Sequence, residues 1–378
     1  MKLFRYLILP VLFFSCLGKD MRAGDLDGAR LPVKVLYDVG FEMNFDNREY
    51  YKSDFSRSMT IFGARISPSL GLGTATDDGT EHGIMAGADV LKDFGTPGIV
   101  VTPTIFYRMQ KSLGKTDMTV YAGIFPRKSM EGEYSQVFFS DSLKFYDNTL
   151  EGLLMKFRRP KAYFEVGCDW MGMYGQSSRE RFMIFSAGEG KVAPFLHFGY
   201  AAYMYHYAGC RDVSGVVDNF LVNPYVRFDF SHQVDFQVLA FRFGWLQAMQ
   251  NDRRNIGLYT FPYGGEFDVE IRKWNFGICN RLFYGTDMMP YYNFTDAIGV
   301  KYGNCLYLGD PFYRVHDDGA GGAGLYDRFE VFWNPSPGGL LDIHVGAVFH
   351  FNDFHYSGTQ QVVRLCFNLH DMLTRKNK

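Results

Sequence analysis

The chain has no apolar run of the roughly 20 residues that a membrane-spanning helix requires, and this excludes a helical membrane protein. Its longest apolar stretch, Leu3 to Leu17, is too short to span comfortably. It opens with Lys2 and Arg5 and is followed by the small or polar Gly18, Lys19, Ala23 and Gly24, the make-up of a secretory signal peptide. Residues 1–23 are therefore read as a cleaved leader, with the cut between Cys16 and Gly24, and 24–378 as a single domain. Cys16 follows Phe14 and Ser15, poor surroundings for lipid attachment, and is read as leaving with the leader.

Charge of one sign is also missing. Lys and Arg number 39 against 41 Asp and Glu, with no block of either, so the chain carries neither the basic footprint of a nucleic-acid binder nor an acidic disordered tail. Cysteine pairs at metal-binding spacing are absent: Cys168, Cys210, Cys279, Cys305 and Cys366 form no CxxC, so a zinc site has no support. Cys210 and Cys305 fall in expected external loops, where they are placed to pair. The odd total keeps free thiols equally open.

Aromatic side chains, by contrast, make up 17% of the chain, and their excess suits rings that sit half in an apolar layer and half in water. The organising signal is alternation with period two, which sends successive side chains to opposite faces of a strand. Val35, Tyr37, Val39, Phe41, Met43 and Phe45 alternate with Asp38, Gly40, Glu42 and Asn44 over about eleven residues, the length of a tilted strand crossing a bilayer core. The pattern recurs at Phe62, Ile66 and Leu70 against Arg65, Ser67 and Ser69, and at Val101, Ile105 and Tyr107 against Thr102, Thr104 and Arg108. It is cleaner at Val222, Val226 and Phe228 against Asn223, Arg227 and Asp229, at Phe267, Val269 and Ile271 against Glu266, Asp268 and Glu270, at Ile343 to Phe351, and at Val363 to Leu369. Weaker alternation near Ile84, Val120, Leu153, Phe164, Phe182, Phe198, Phe276 and Phe329 fills the gaps. Between Val234 and Trp245 the phase slips, which predicts a bulge.

The sum is about sixteen strands (14 to 18), over residues 33–369. Alternate connections are very short (Arg159 to Lys161, Ser231 to Gln233, Arg272 to Lys273, Pro335 to Gly339), while Lys128 to Thr149 and Gly285 to Leu325 are long. Short turns on one side and long loops on the other predict an all-β transmembrane antiparallel up-and-down β-barrel with periplasmic turns and extracellular loops. Its surroundings would be outer-membrane lipids, its assembly would fall to the barrel-assembly machinery, and its location would be the outer membrane of a Gram-negative bacterium. A secreted β-sandwich also has one apolar and one polar strand face. Strand number, one-sided loops and rings such as Tyr37, Tyr107, Trp170 and Trp333 favour the barrel.

On the barrel reading the polar face lines a lumen. The pore-lining candidates are Arg65, Arg108, Arg227, Arg281, Arg328 and Arg364, with Asp38, Glu42, Glu165, Asp229, Glu266, Glu270, Glu330 and Asp342. Rings of charge select solutes in pores, and charges of both signs also pair to stiffen a wall; both readings stay open. The loop from Lys128 to Thr149 carries Phe138, Phe139, Asp141, Phe145 and Tyr146, rings that would favour a wall over bulk water and so a place inside the lumen. Competing chemistry is weaker. Gly319, Gly321 and Gly324 match GxGxxG without a flanking strand and helix, Asp317 and Asp318 lack further spaced calcium ligands, and Glu266, Asp268 and Glu270 are ordinary lumen acids as much as glycosidase carboxylates. His344, His350 and His355 do not make a metal set by spacing. No catalytic residue, metal or cofactor is assigned.

The segments Asp169-Trp170-Met171-Gly172-Met173, Arg179-Glu180-Arg181-Phe182 and Leu306-Tyr307-Leu308-Gly309-Asp310-Pro311-Phe312-Tyr313 give the chain its resemblance to porin-like outer-membrane barrels of the Bacteroidetes kind. The likeness covers nearly the whole length and carries over no functional residue. It implies a passive channel for a small hydrophilic solute, since sixteen strands enclose an aqueous lumen and eight do not. The alternatives are a secreted or surface β-protein that binds or cleaves polysaccharide, and an outer-membrane barrel closed by its own loops.

Overall fold

A computed structural model describes residues 33–51, 55–315 and 322–371. The expected leader with Cys16, and also Asp317, Asp318, Gly319 and Gly321, lie outside the described residues. Sixteen strands follow one another: β1 (Lys34–Tyr50), β2 (Met59–Ala75), β3 (Glu81–Asp93), β4 (Val100–Leu113), β5 (Thr116–Pro126), β6 (Thr149–Arg159), β7 (Ala162–Gly172), β8 (Arg181–Ala193), β9 (Leu196–Tyr207), β10 (Val217–Asp229), β11 (Val238–Asp252), β12 (Tyr263–Lys273), β13 (Phe276–Gly285), β14 (Gly324–Trp333), β15 (Leu341–Asn352) and β16 (His355–Asp371). Each pairs antiparallel with its sequence neighbours, and β16 returns to β1 with Phe41 opposite Phe367, so the sheet closes without an edge.

Alternation becomes sidedness. On β1 the even positions turn inward, with Asp38 and Asn44 buried, while Val35 and Phe41 are exposed on the outside. The same division leaves Phe62, Ile66, Ile84, Ile105, Phe198, Phe243 and Ile278 exposed. So large an apolar exterior would promote association in water but matches the solvent inside a bilayer. Rings gather near the rims, among them Trp274, Phe276 and Trp333 at one and Trp245, Tyr263 and Tyr284 toward the other, the places where amphipathic rings meet headgroups.

The rim where the chain enters β1 and leaves β16 carries the short turns. Trp274 and Asn275 join β12 to β13 with φ of 54° and 66°, the pair of left-handed residues that matches the twist of a two-residue hairpin. This turn lies two residues beyond the expected Arg272–Lys273, because strand pairing continues to Lys273 opposite Phe276. The expected bulge in 234–245 is also absent. Residues 230–237 form the turn itself, and β11 then pairs with β10 in unbroken register, Ala240 opposite Asp229 through Asp252 opposite Val217. The phase slip marked a turn-to-strand boundary. Register shifts occur instead at Trp170/Gly172, Lys191/Ala193 and His350/Phe351. One connection on the long-loop rim is short: Asp353 and Phe354, again both left-handed, join β15 to β16.

Candidate functional site: a constricted lumen

The β5–β6 connection, residues 127–148, runs into the barrel rather than over its rim. The backbone N–H groups of Glu131 and Gly132 donate to the Glu165 carboxylate on β7 at 2.7 and 2.9 Å, and the Tyr134 hydroxyl adds a third bond at 2.9 Å. Gly132 is required here, since a Cβ would strike Glu165, Ala187 and Tyr134. Burial, together with the Glu165 charge, pushes the Tyr134 phenol far up, so it donates at any working pH. Further along, Glu133 meets Arg227 of β10 at 2.5 Å and Ser135 donates to Glu266 of β12 at 2.8 Å. Lys128 meets Asp38 of β1 at 2.9 Å, and Arg48 of β1 donates to Ser142 at 2.7 Å. The crossing is packed as well as pinned. Phe138 is wholly buried edge-on to Tyr203 of β9, and Phe139 is buried beneath the Arg127 guanidinium.

The loop ends in the one-and-a-half-turn helix α1 (Asp141–Tyr146), started by Ser140, whose hydroxyl accepts from the Leu143 N–H. Phe145 is buried with Ile61 and Leu91 under the Arg65 guanidinium, as a wall-seeking ring should be. Tyr146 is not: it stays 43% exposed, its hydroxyl reaching Asp93, because one helical step turns it away from the wall.

A second insertion was not legible beforehand. The β13–β14 connection packs on the first: the Ser140 N–H donates to the Leu308 carbonyl at 2.9 Å, and the Asp310 N–H to the Gln136 carbonyl at 2.8 Å. Gly309 lies against the Val137 backbone with no room for a Cβ. Phe312 stacks on His350 and Tyr326, and Tyr313 donates to Glu266, which thus anchors both loops. The aromatic density of Leu306 to Tyr313 was the available signal. Cys210 and Cys305 are both free thiols.

Asp141 lines three cavities that meet around it. One of about 770 Å³ opens toward the long loops and includes Arg48, Tyr292, Arg314 and Arg328. Another of about 340 Å³ lies against β10–β13, and a third of about 280 Å³ is lined by Glu42, Lys128, Lys144 and Arg364. Asp141 sits 3.7 Å from Lys144 and 3.9 Å from Arg328. Burial alone would raise its carboxyl, but Lys144, Arg328, Arg364 and Arg281 together hold it well below the usual carboxylate range.

Of the pore-lining candidates, the structure thus gathers Arg281, Arg328 and Arg364 around Asp141. Arg328 also pairs with Glu330 at 2.6 Å, and Arg65 bridges Glu42 and Asp89 at 3.1 Å each. Arg364 lies 3.7 Å from Glu42. Others stand apart. Arg108 bonds Gln110 and lies over Tyr121, Asp229 is tied to Ser231, and Asp342 is exposed near the short-turn rim. Arg242, buried on β11 and 2.9 Å from Asp268, was missed because the supposed phase slip hid which face it takes. His344 pairs with Glu330, and His350 bonds Tyr326 and Gln360. Among the described residues no three His, Cys, Asp or Glu side chains converge as metal ligands.

A family model described as lipid A 3'-O-deacylase-type matches residues 36–298, from β1 into the loop after β13. No curated protein matches the sequence. Among solved structures, OpdO of Pseudomonas aeruginosa is similar with a TM-score of 0.51 at 8% identity, over 89% of this chain and 98% of that one. OprD of the same bacterium gives 0.48 at 9% identity, over 93% and 100%. A mutant porin of Rh. blastica gives 0.47 at 11% identity, over 89% and 100%. The OpdO likeness is one of fold.

Proposed function

Because the chain belongs to the lipid A 3'-O-deacylase-type family yet closes sixteen strands around a charged lumen, we propose that it is a passive pore of the Gram-negative outer membrane for small hydrophilic solutes. The observation that carries this reading is the meeting at Asp141 of three cavities, each lined in part by charged side chains, where an inserted loop narrows the lumen opposite a row of arginines. Such a loop restricts passage without abolishing the aqueous interior that a barrel of this size encloses. Residues 1–23 serve export on this reading, and the apolar exterior meets outer-membrane lipid.

The family description favours a second reading, hydrolysis of an acyl ester. That chemistry needs a nucleophile, commonly a hydroxyl activated by an adjacent base. The hydrogen-bonded wall histidines have other partners: tyrosine for His82, glutamate for His197 and His344, tyrosine and glutamine for His350. One experiment separates the two. The purified full-length barrel is reconstituted in planar bilayers for single-channel recording and in parallel incubated with acylated glycolipid. Discrete channel openings without fatty-acid release support the pore; release without conductance replaces it with the hydrolase.

A further inference from the structure

The charges around the 340 Å³ cavity are almost all accounted for. Arg227 meets Glu133 at 2.5 Å, Arg242 meets Asp268 at 2.9 Å, and Lys144 lies 3.7 Å from Asp141. Glu266 accepts from Ser135 and Tyr313 and lies 3.6 Å from Arg242. Two remain. Arg281 and Glu270 both line the cavity, and among the described residues neither side chain has a hydrogen bond or an oppositely charged group within 4.0 Å. Both side chains are partly exposed to the chamber, and Arg281 feels Asp268 and Asp141 only at longer range, so each keeps hydrogen-bonding capacity free for a ligand or water.

We propose that this chamber binds a small zwitterion of α-amino-acid type, with Arg281 taking its carboxylate and Glu270 its ammonium. The inference rests on the pore reading and names the solute class of that same lumen. Register sets the geometry. Asp268 lies opposite Arg281 and Glu270 opposite Cys279, so Glu270 and Arg281 are diagonal neighbours on the inward face of β12 and β13. Diagonal positions stand roughly 7–8 Å apart at the backbone, and here their charged ends do not meet, which leaves a place between them. A planar guanidinium takes a carboxylate with two parallel bonds, and a carboxylate suits an ammonium as a compact charge. Ala240, opposite Glu270, and Cys279 are small and uncharged, leaving space for a modest side chain. A simple anion at Arg281 would leave Glu270 unanswered, and a simple cation would leave Arg281 so. The volume is at the lower end of the roughly 300–1,000 Å³ of ligand pockets, which suits one small molecule.

The test measures binding separately from conduction. The detergent-solubilised full-length barrel is titrated by calorimetry with L-alanine, N-acetyl-L-alanine and L-alanine methyl ester, while channel activity is recorded in bilayers. Alanine should bind at least fivefold more tightly than either singly charged derivative. R281Q should abolish its advantage over the methyl ester, and E270Q its advantage over the N-acetyl form, with both variants checked for heat-modifiable folding. Equal binding of alanine and the N-acetyl form would convert the site to a plain anion site and overturn the proposal, as would no binding by any of the three. Because the wild-type comparison needs no variant, a misfolded mutant leaves the test intact. Absence of conductance with alanine binding preserved would defeat the pore reading alone.

Discussion

The inner wall of this barrel has two unlike halves. From β3 to β11 the inward positions are largely apolar: Met85, Phe106, Tyr121, Leu154, Phe185, Tyr203, Leu221 and Leu246 are buried in one continuous core with Phe138 and Phe139 of the inserted loop. From β12 around to β2 they are largely charged, with Glu266, Asp268, Arg281, Arg328, Glu330, Arg364, Glu42 and Arg65. The loop therefore docks on one half as an element docks in a soluble protein and leaves its far side facing charge. A pore of the proposed kind needs both. Apolar burial holds the constriction in place, and the charged half keeps the remaining space wet.

The largest effect should come from breaking the apolar half. Phe138→Ala removes a fully buried ring, and such truncations cost about 3–5 kcal/mol. The loop should loosen, unit conductance should rise, and deleting Ser135 to Phe145 should raise it further. Arg364→Gln on the charged half breaks only a partly exposed 3.7 Å pair, of the kind worth about 0–1 kcal/mol, and should leave conductance near its original level. Equal conductance in all three folded proteins would end the idea that this loop sets the constriction.

The outer wall should show no such division. Val226 backs the apolar half on β10 and Ile343 the charged half on β15, and an arginine on the lipid face near the midplane costs about 2–4 kcal/mol. Val226→Arg and Ile343→Arg should therefore impair folding alike in denaturant titrations, and more than Arg227→Val or Asp342→Val. A substitution harmless at one outward site and severe at the other would mean that one side of the exterior is covered by something other than lipid.

A subtler effect sharpens the charged half. Replacing Arg281, Arg328 and Arg364 together by glutamine should shift the reversal potential in a salt gradient toward cations. The same change at Arg65, Arg108 and Arg227 should shift it less, because those groups face Glu42 and Asp89, Gln110 and Tyr121, and Glu133, away from Asp141. Matching shifts would remove Asp141 as the electrostatic centre.

The smallest effect concerns pH. Asp141 has a folded value below its ordinary 3.8, so its contribution to holding the loop is complete above that ordinary value and is lost only as pH falls through the lowered one. Acid strong enough to neutralise lumen carboxylates should move selectivity toward anions, because the arginines keep their charge. Asp141→Asn should produce part of that shift already at pH 7 and flatten the change below pH 4. A titration curve identical to that of the parent protein would mean that Asp141 does not face permeating ions.

The same division explains what could be read early. Strands with wet inner faces, such as Phe267 to Ile271 against Glu266 to Glu270, alternate cleanly. Strands of the apolar half do not: β6 sends Leu153, Met155 and Phe157 outward and Leu150 and Leu154 inward, and β9 sends Met204 outward and Tyr203 and Tyr205 inward. With apolar residues on both faces the period-two signal fades, which is why the regions near Leu153, Phe182 and Phe198 gave only weak alternation. The inserted position of 127–148 was legible because rings in a long loop need a wall. The second insertion was obscured by the glycines and acids that close the same connection.

The sequence by itself determined closure, strand number and which side chains face lipid, because these follow from local alternation and connection length, each a property of a few neighbouring residues. Only the tertiary structure decided which lumen charges cancel and which stay unpaired. Arg281 and Glu270 look no different in sequence from Arg227 and Glu266. Partners such as Glu133 and Ser135 reach the latter from a loop more than ninety residues away along the chain, and Coulomb attraction depends on distance in space, which strand periodicity does not encode.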